Sequence, residues 1–421
     1  MTTQTNPQPL LETRSGSYST GSSAGSGYSE LADSRAAGTE AAQAALAQAK
    51  LPPGARCGLV FLFGTSKHDP RQLHEGVRAV VGPDARIVGG YTVGAFDNDR
   101  LGYLGTQVGV AVISSDDLRV ETFTEEGLDS RGEREVGRAL GRRVASGTYE
   151  GEPNLLLIYD SVKTPQAELN MATTILEGMS ETIGEWPSVA GVGVFGDLQF
   201  QRSHTWAEDR ILTQSATALV LSGGVRMDTI ILHGCQPAGR YHTVTKADGP
   251  LVLEIDGRPA LDFLADMVPD KQWEEYPLFV TLGVNKGDKF GTFREDDYAN
   301  RLTMAVNRER GGLVMFEPDL TEGIEVQLMR RSIDFGYIGT RVDQLFARLD
   351  GRRPFFALYI DCAGRAAALC ASEGEEAEVV QRSLSERGIP LLGMYSGVEI
   401  AKFGQQVQAL DWTGVLCVFS E

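Results

Sequence analysis

The chain has 421 residues, enough for two or three domains of ordinary size with a substantial core. Its 39 Lys and Arg against 57 Asp and Glu leave a formal charge of −18, a field that repels phosphate backbones and anionic lipid and argues against nucleic acid or a membrane surface as partner. Hydrophobic and charged contents of 42% and 23% are globular values, and no apolar run approaches the ~18 residues of a membrane helix.

Residues 1–30 are rich in Ser, Gly and Thr and read as a tail without a secretory pattern. Over 36–49 the alanines Ala41, Ala42, Ala45 and Ala49 fall on one helical face, and Pro52-Pro53 ends that helix. The run Gly58-Leu59-Val60-Phe61-Leu62-Phe63 predicts a strand buried on both faces. After Gly64-Thr65-Ser66, Asp69-Pro70 opens a second helix, with Asp as cap and Pro at its first position.

The same layout recurs. Strands at 57–63, 154–160 and 354–361 are followed by predicted helices at 69–81, 165–183 and 375–387. Each helix leads to a glycine-bearing turn: Gly89 to Phe96, Gly191 to Leu198, Gly393 to Ile400. A helix precedes each unit at 36–49, 131–144 and 342–349, and a strand closes each at 107–113, 216–221 and 414–419. The fold class is therefore α/β, with repeated strand-helix-strand units forming sheets flanked by helices. Between the second and third units lies different material: a strand over 228–235, another over 251–255, a short helix over 259–267, and a domain boundary near 266–275. Glycine, at 49 of 421 residues against about 7% on average, implies many tight turns or close approaches. The five cysteines (Cys57, Cys235, Cys362, Cys370, Cys417) include no CxxC pair and read as reduced core residues of a cytoplasmic protein, not as a zinc site.

Four segments in this order, Gly89 to Phe96, His233-Gly234-Cys235, Glu254 to Ala260 and Gly393 to Ile400, carry a resemblance to the FIST proteins (F-box and intracellular signal transduction). It covers about residue 31 to 421. The resemblance implies a two-domain arrangement: a tail over 1–30, a FIST N-terminal region over 31–268 and a FIST C-terminal region over 269–421. It also implies a bacterial sensory module that binds a small ligand, such as an amino acid, and signals through a separate partner such as a histidine kinase or chemoreceptor. An adaptor role and, in a subset, haem-based sensing of nitric oxide are the other implied functions. Two departures stand out: Ala95 lies where the N-terminal turn often has Glu, and Gly397-Val398 replaces an aromatic-Gly pair before Glu399.

Loops beyond the C-terminal ends of strands are where α/β proteins gather ligands. Thr65 and Ser66, before the Asp69 helix start, could accept a carboxylate. Asp197 and Glu399, at equivalent places in two turns, could bind an ammonium. Tyr91, Thr92, Tyr395 and Ser396 combine apolar faces with hydroxyls suited to a small polar ligand. Arg294, where the C-terminal FIST region usually has an Arg-bearing strand, could hold a carboxylate bidentately. The plainer reading is that the glycines only bend the strands, that the carboxylates are solvated and that Arg294 pairs with a neighbouring acid.

His233 and Cys235, two apart on a predicted strand, share a face, as a nucleophile–base pair or soft ligands would. No third orienting residue is legible, and no P-loop, GxSxG or HExxH motif occurs. The expectation is a binding protein with no catalytic residue, no metal and no cofactor, haem being the alternative.

Overall fold

A computed structural model describes residues 21–51, 56–163, 168–268, 273, 275–332 and 334–421. The first unit runs β1 (Ser23–Ser29), α1 (Ser34–Ala49), β2 (Leu59–Gly64), α2 (Pro70–Val81), β3 (Arg86–Tyr91), β4 (Gly94–Phe96), β5 (Leu101–Tyr103) and β6 (Val108–Ser114). The second runs β7 (Leu118–Glu126), α3 (Glu133–Ala145), β8 (Asn154–Asp160), the pair β9 (Val162–Lys163) and β10 (Glu168–Leu169), then α4 (Ala172–Ile183) and β11 (Ser188–Val194). It closes with β12 (Thr205–Ala207), β13 (Arg210–Leu212) and β14 (Ser215–Gly223). The third begins at β15 (Arg226–Leu232) and is interrupted at once by β16 (Cys235–Pro237), β17 (His242–Asp248), β18 (Leu251–Ile255), β19 (Arg258–Pro259), α5 (Ala260–Met267), β20 (Thr281–Asn285), β21 (Tyr298–Asn307), β22 (Gly312–Met315) and β23 (Glu325–Arg331). It resumes with α6 (Gly336–Ala347), β24 (Pro354–Cys362), α7 (Ala367–Cys370), α8 (Glu376–Glu386), β25 (Leu391–Ser396), β26 (Val398–Phe403), β27 (Gln406–Leu410) and β28 (Gly414–Ser420).

Each unit builds a six-stranded sheet, and each sheet borrows its outer hairpin from another unit. The orders are β1-β6-β2-β3-β12-β13, β7-β14-β8-β11-β26-β27 and β15-β28-β24-β25-β4-β5. The hairpin of the first unit thus completes the third sheet, that of the second completes the first, and that of the third completes the second. The central pairs β2–β3, β8–β11 and β24–β25 are parallel, as strands joined by a crossover helix must be.

The inner faces of the three sheets meet in one core: Phe61 and Phe63, Ile158 and Val192, Leu358 and Met394. The outer faces bury against α1 and α2, against α3 and α4, and against α6 and α8. Burial on both faces is why the central strands are continuous apolar runs.

Part of the expected tail is ordered structure. Ser23–Ser29 is the edge strand of the first sheet, and its small residues let α1 lie almost on the backbone: a Cβ on Gly27 would come 2.2 Å from the Ala41 carbonyl oxygen. Residues 1–20, the rest of that tail, lie outside the described residues. The helix expected from 165 begins at Ala172, with 164–167 outside the described residues. Met171 cannot cap it, so Glu317 of the intervening domain accepts from the amides of Ala172 (3.2 Å) and Thr173 (2.9 Å).

The strand expected over 228–235 breaks at Gly234, whose φ of 60° turns the chain out of the third sheet. His233 and Cys235 therefore do not share a strand face. Instead the Cys235 amide donates to His233 Nδ1 at 2.9 Å.

Between β15 and α6, strands β23, β17, β18, β22, β21 and β20 close into a six-stranded barrel, because β20 pairs with both β21 and β23. It has its own core, including Val252, Leu264, Leu282, Leu313 and Val326. The expected join of the two regions, at 268 and 269, comes directly after α5, and residue 269 lies outside the described residues. Arg301 fastens the barrel to β27: fully buried, it pairs with Asp319 and donates to the Ala409 carbonyl at 3.0 Å.

Candidate functional site

The three glycine turns converge. The amide of Phe195 donates to the Tyr91 carbonyl (3.2 Å), that of Gly397 to the Gly193 carbonyl (3.1 Å), and that of Val93 to the Tyr395 carbonyl (3.0 Å). Counted from Gly89, Gly191 and Gly393, each bond joins the fifth residue of one turn to the third of another, so the three corners close a ring with threefold symmetry. The ring is filled. Thr92 Oγ1 donates to the Tyr395 carbonyl (2.5 Å) and lies 2.8 Å from that of Gly94. A Cβ on Gly397 would lie 2.9 Å from that of Phe195.

Several residues expected to face a ligand are used within the fold. The Tyr91 hydroxyl donates to the His68 carbonyl and Thr65 Oγ1 to that of Gly105. Ser66 donates to Asp197 Oδ2 at 3.3 Å, while Asp197 Oδ1 accepts from the amides of Gln199 and Gln201 and shapes its own turn. The helix start at Asp69 is closed by its own side chain, which accepts from Gln72 N. Tyr395 donates to Glu375. Arg294 is 69% exposed, 3.9 Å from Asp297, and lines none of the cavities described. The structure brings together Ser66 with Asp197, Thr92 with Tyr395, and Ser396 with Glu399.

That last pair adjoins a cavity of about 380 Å³, inside the ~300–1,000 Å³ range of small-molecule sites. Three parts of the molecule form it. The second corner supplies Phe195, Leu198 and Phe200, and the third unit Ser396, Gly397, Cys362, Leu369 and Cys370. The barrel contributes Leu302, Met304, Phe316 and Arg331, and the loop before β28 adds Asp411 and Trp412. Among the described residues, three of the seven exposed large apolar side chains, Leu198, Tyr276 and Leu278, also line it. Exposed apolar side chains gathered at one opening mark a binding site more than scattered ones do.

Phe200 and Trp412 hold left-handed backbone, φ 55° and 50°. Such strain, about 1–3 kcal/mol for a bulky residue, collects at ligand sites. Trp412 is held by the Arg331 guanidinium, 3.2 Å above its ring, and by Arg365, which donates to its carbonyl.

The polar edge of the cavity is acidic. Ser396 Oγ donates to Glu399 Oε1 at 2.7 Å and lies 3.0 Å from the Asp361 carbonyl. Glu399 is fully buried, and its Oε2 has no hydrogen-bond partner. Burial drives its carboxyl well above the usual range. Asp411 accepts the Leu302 amide at 2.8 Å, and burial, opposed by Arg301, raises it to about 6. Behind them Asp361, raised to about 7 by burial, lies 2.8 Å from Arg365 Nε, in contact but off the hydrogen-bonding direction; Arg365 also pairs with Glu376.

A larger open groove of about 940 Å³ runs past Tyr149, Trp186 and Asp228, but its cations are engaged: Lys402 by the Trp186 carbonyl, Arg352 by those of Gly224 and Ser420, Arg226 by Asp228. The smaller cavity is therefore the candidate site. Among the described residues no group of three or more His, Cys, Asp or Glu is placed to hold a metal ion, and no helix is long and apolar enough to cross a membrane.

Sequence reasoning reached Ser396 and Glu399 through the repeat and missed Asp411, Trp412, Arg331 and the barrel strand with Leu302 and Met304. One signal was present beside them: Asp361 closes the apolar run Phe355–Ile360 with a charge, at the end of a buried strand where a carboxylate is costly.

Comparison with known proteins agrees with this architecture. Residues 58–258 match the FIST N domain and 260–402 the FIST C domain, so the chain belongs to the FIST family. FIST domains are associated with sensory roles in signal transduction. Relatives include an uncharacterized protein of Mycobacterium bovis, 26% identical over 229 residues (53% of this chain, 57% of that protein). Others are an uncharacterized protein of Methanocaldococcus jannaschii, 23% identical over 328 residues (73% and 60%), and one of Mycobacterium tuberculosis, 26% identical over 238 (55% and 61%). The matches thus span about three fifths of these relatives' length. Among solved structures, a cyanuric acid hydrolase from A. caulinodans aligns with a TM-score of 0.35 at 10% identity, over 94% of this chain and 99% of that one.

Proposed function

We propose that the chain is a sensory module that binds a small molecule in the 380 Å³ cavity and passes the signal to a separate protein, with no bond made or broken. The carrying observation is that this cavity is walled jointly by the second corner, the third unit and the barrel. A molecule bound there touches all three, so it favours one arrangement of barrel against repeats over others, which is how binding becomes a signal. The wall is mainly apolar, which moves the reading from a wholly polar metabolite toward one with an apolar body. Reduced cysteines suit a cytoplasmic setting: all five are free. The partner, of the histidine-kinase or chemoreceptor class, belongs to the same proposal.

Haem is a poorer fit. No histidine lines the cavity, and the ring nitrogens of His233 engage the Glu295 carbonyl and the Cys235 amide. Burial also raises the Cys362 thiol well above its ordinary value, away from the thiolate a haem iron would need.

A thermal-melt screen of small aromatic and branched metabolites tests the proposal. A ligand at a hundred times its dissociation constant stabilises by about 2.7 kcal/mol, a rise of a few degrees. Met304→Trp, which fills the cavity from the barrel side, should abolish that rise. A rise unchanged in the variant, or none with any compound, counts against the cavity.

A further inference from the structure

The polar side chains lining the cavity are Ser396, Asp411, Glu275 and Tyr276 at the rim, Arg331, the indole of Trp412 and the thiols of Cys362 and Cys370. Two of these are carboxylates, and a third, Glu399, is reached through Ser396. Arg331 is the cation of this set. Its guanidinium lies flat on Trp412 and donates to the Leu278 carbonyl and Thr281 Oγ1, so it serves as part of the wall. The remaining surface is hydrocarbon and aromatic: Phe195, Phe200, Leu302, Met304, Phe316 and Trp412.

We infer that the cavity takes an apolar amine, an aromatic or branched body carrying an ammonium group that meets Asp411 and Ser396. This rests on the cavity being the ligand site. An ammonium brings three donors and no acceptor. The polar edge offers the complement: the Asp411 carboxylate, the Ser396 oxygen and, behind it, a fully buried Glu399 whose Oε2 has no hydrogen-bond partner. A buried cation is tolerated only when paired and hydrogen-bonded, and Asp411 supplies that pairing. A ligand carboxylate placed there would face the Asp411 carboxylate and the Asp361 carbonyl, acceptors that can donate nothing to it. The aromatic wall suits the body of the molecule and, through Trp412, adds attraction for the cation. The inference thus departs from a zwitterionic ligand: it needs the ammonium and makes no use of a carboxylate.

Three near-isosteric probes separate the possibilities on the full chain: 2-phenylethylamine, 2-phenylethanol and 3-phenylpropionate, titrated calorimetrically at pH 7.5. The amine should bind at least tenfold more tightly than the alcohol, and the carboxylate should not bind measurably. Asp411→Asn, which keeps an acceptor for the Leu302 amide, should cost the amine about tenfold and leave the alcohol unchanged. Equal affinity for amine and alcohol, or preference for the carboxylate, overturns the inference while leaving the cavity as the ligand site. Binding of all three that persists in Met304→Trp, or of none, overturns both.

Discussion

Asp411 and Glu399 show what a carboxyl costs inside this protein and what it offers. Both are buried, so each is raised, and with Asp160 (about 7), Asp361 (about 7) and Glu317 (about 8) they form a set of acids that bind protons more tightly in the folded chain than in the unfolded one. The unfolded chain releases the same protons near pH 4. The stability that depends on them is therefore fully present below about pH 4 and lost progressively as pH rises from there through the folded values of about 6 to 8. Buried His68, His74 and His233 and half-buried His204 are shifted down by the same desolvation and act in the opposite sense, but below about pH 6.5.

The melting temperature should accordingly fall between pH 6.5 and 8.5. Glu317→Gln, which can still accept from the α4 amides, should flatten the upper part of that fall. A melting temperature that rises toward pH 8.5 contradicts the assignment of these acids. At this scale the sequence was partly legible: Glu399 was marked by its place in a repeated turn, whereas Asp411 lies in no repeat and is polar for reasons set by the barrel beside it.

At the scale of elements, glycine turns out to be a packing residue. In the helix pair α3–α4 a Cβ on Gly178 would lie 2.1 Å from the Arg134 carbonyl oxygen, and one on Gly137 would lie 2.2 Å from that of Ile175. In α1–α2 the same holds for Gly76 against Arg35, at 2.2 Å. These helices touch backbone to backbone, and neither side can yield by rotating a side chain. Glycine to alanine in an isolated helix stabilises by up to ~1 kcal/mol. Gly178→Ala should instead destabilise by about 1–3 kcal/mol, because α3 and α4 must separate. Denaturant melts decide the sign, and a stabilised variant would refute the close contact.

The composition announced surplus glycine, and the apolar runs of β2, β8 and β24 were plain because both their faces are buried. The barrel was harder to read. Burial differs from strand to strand, β17 and β23 being partly exposed while β18 and β20 are mostly buried, and β17–β18 and β21–β22 carry irregular register, so alternation is broken where it would have been diagnostic.

Over the whole molecule, three units share hairpins in a ring, and the third is opened by a barrel between its first strand and its first helix. The repeat could be found in the sequence because each copy keeps its order of strand, helix and glycine turn. The exchange of hairpins could not, since nothing local in a strand such as β4 says which sheet it joins. That exchange is what brings the second and third corners side by side, and the barrel's docking on β27 through Arg301 is what closes a cavity next to them.

Sensing by this chain requires that a small molecule be held in that cavity. The most direct test is a crystal structure of the full chain with the tightest compound from the melt screen. The account predicts density for the compound between Phe195 and Trp412, its polar end against Asp411 and Ser396. Density in the groove beside Trp186 and Lys402, with the Phe195–Trp412 space empty, would contradict it.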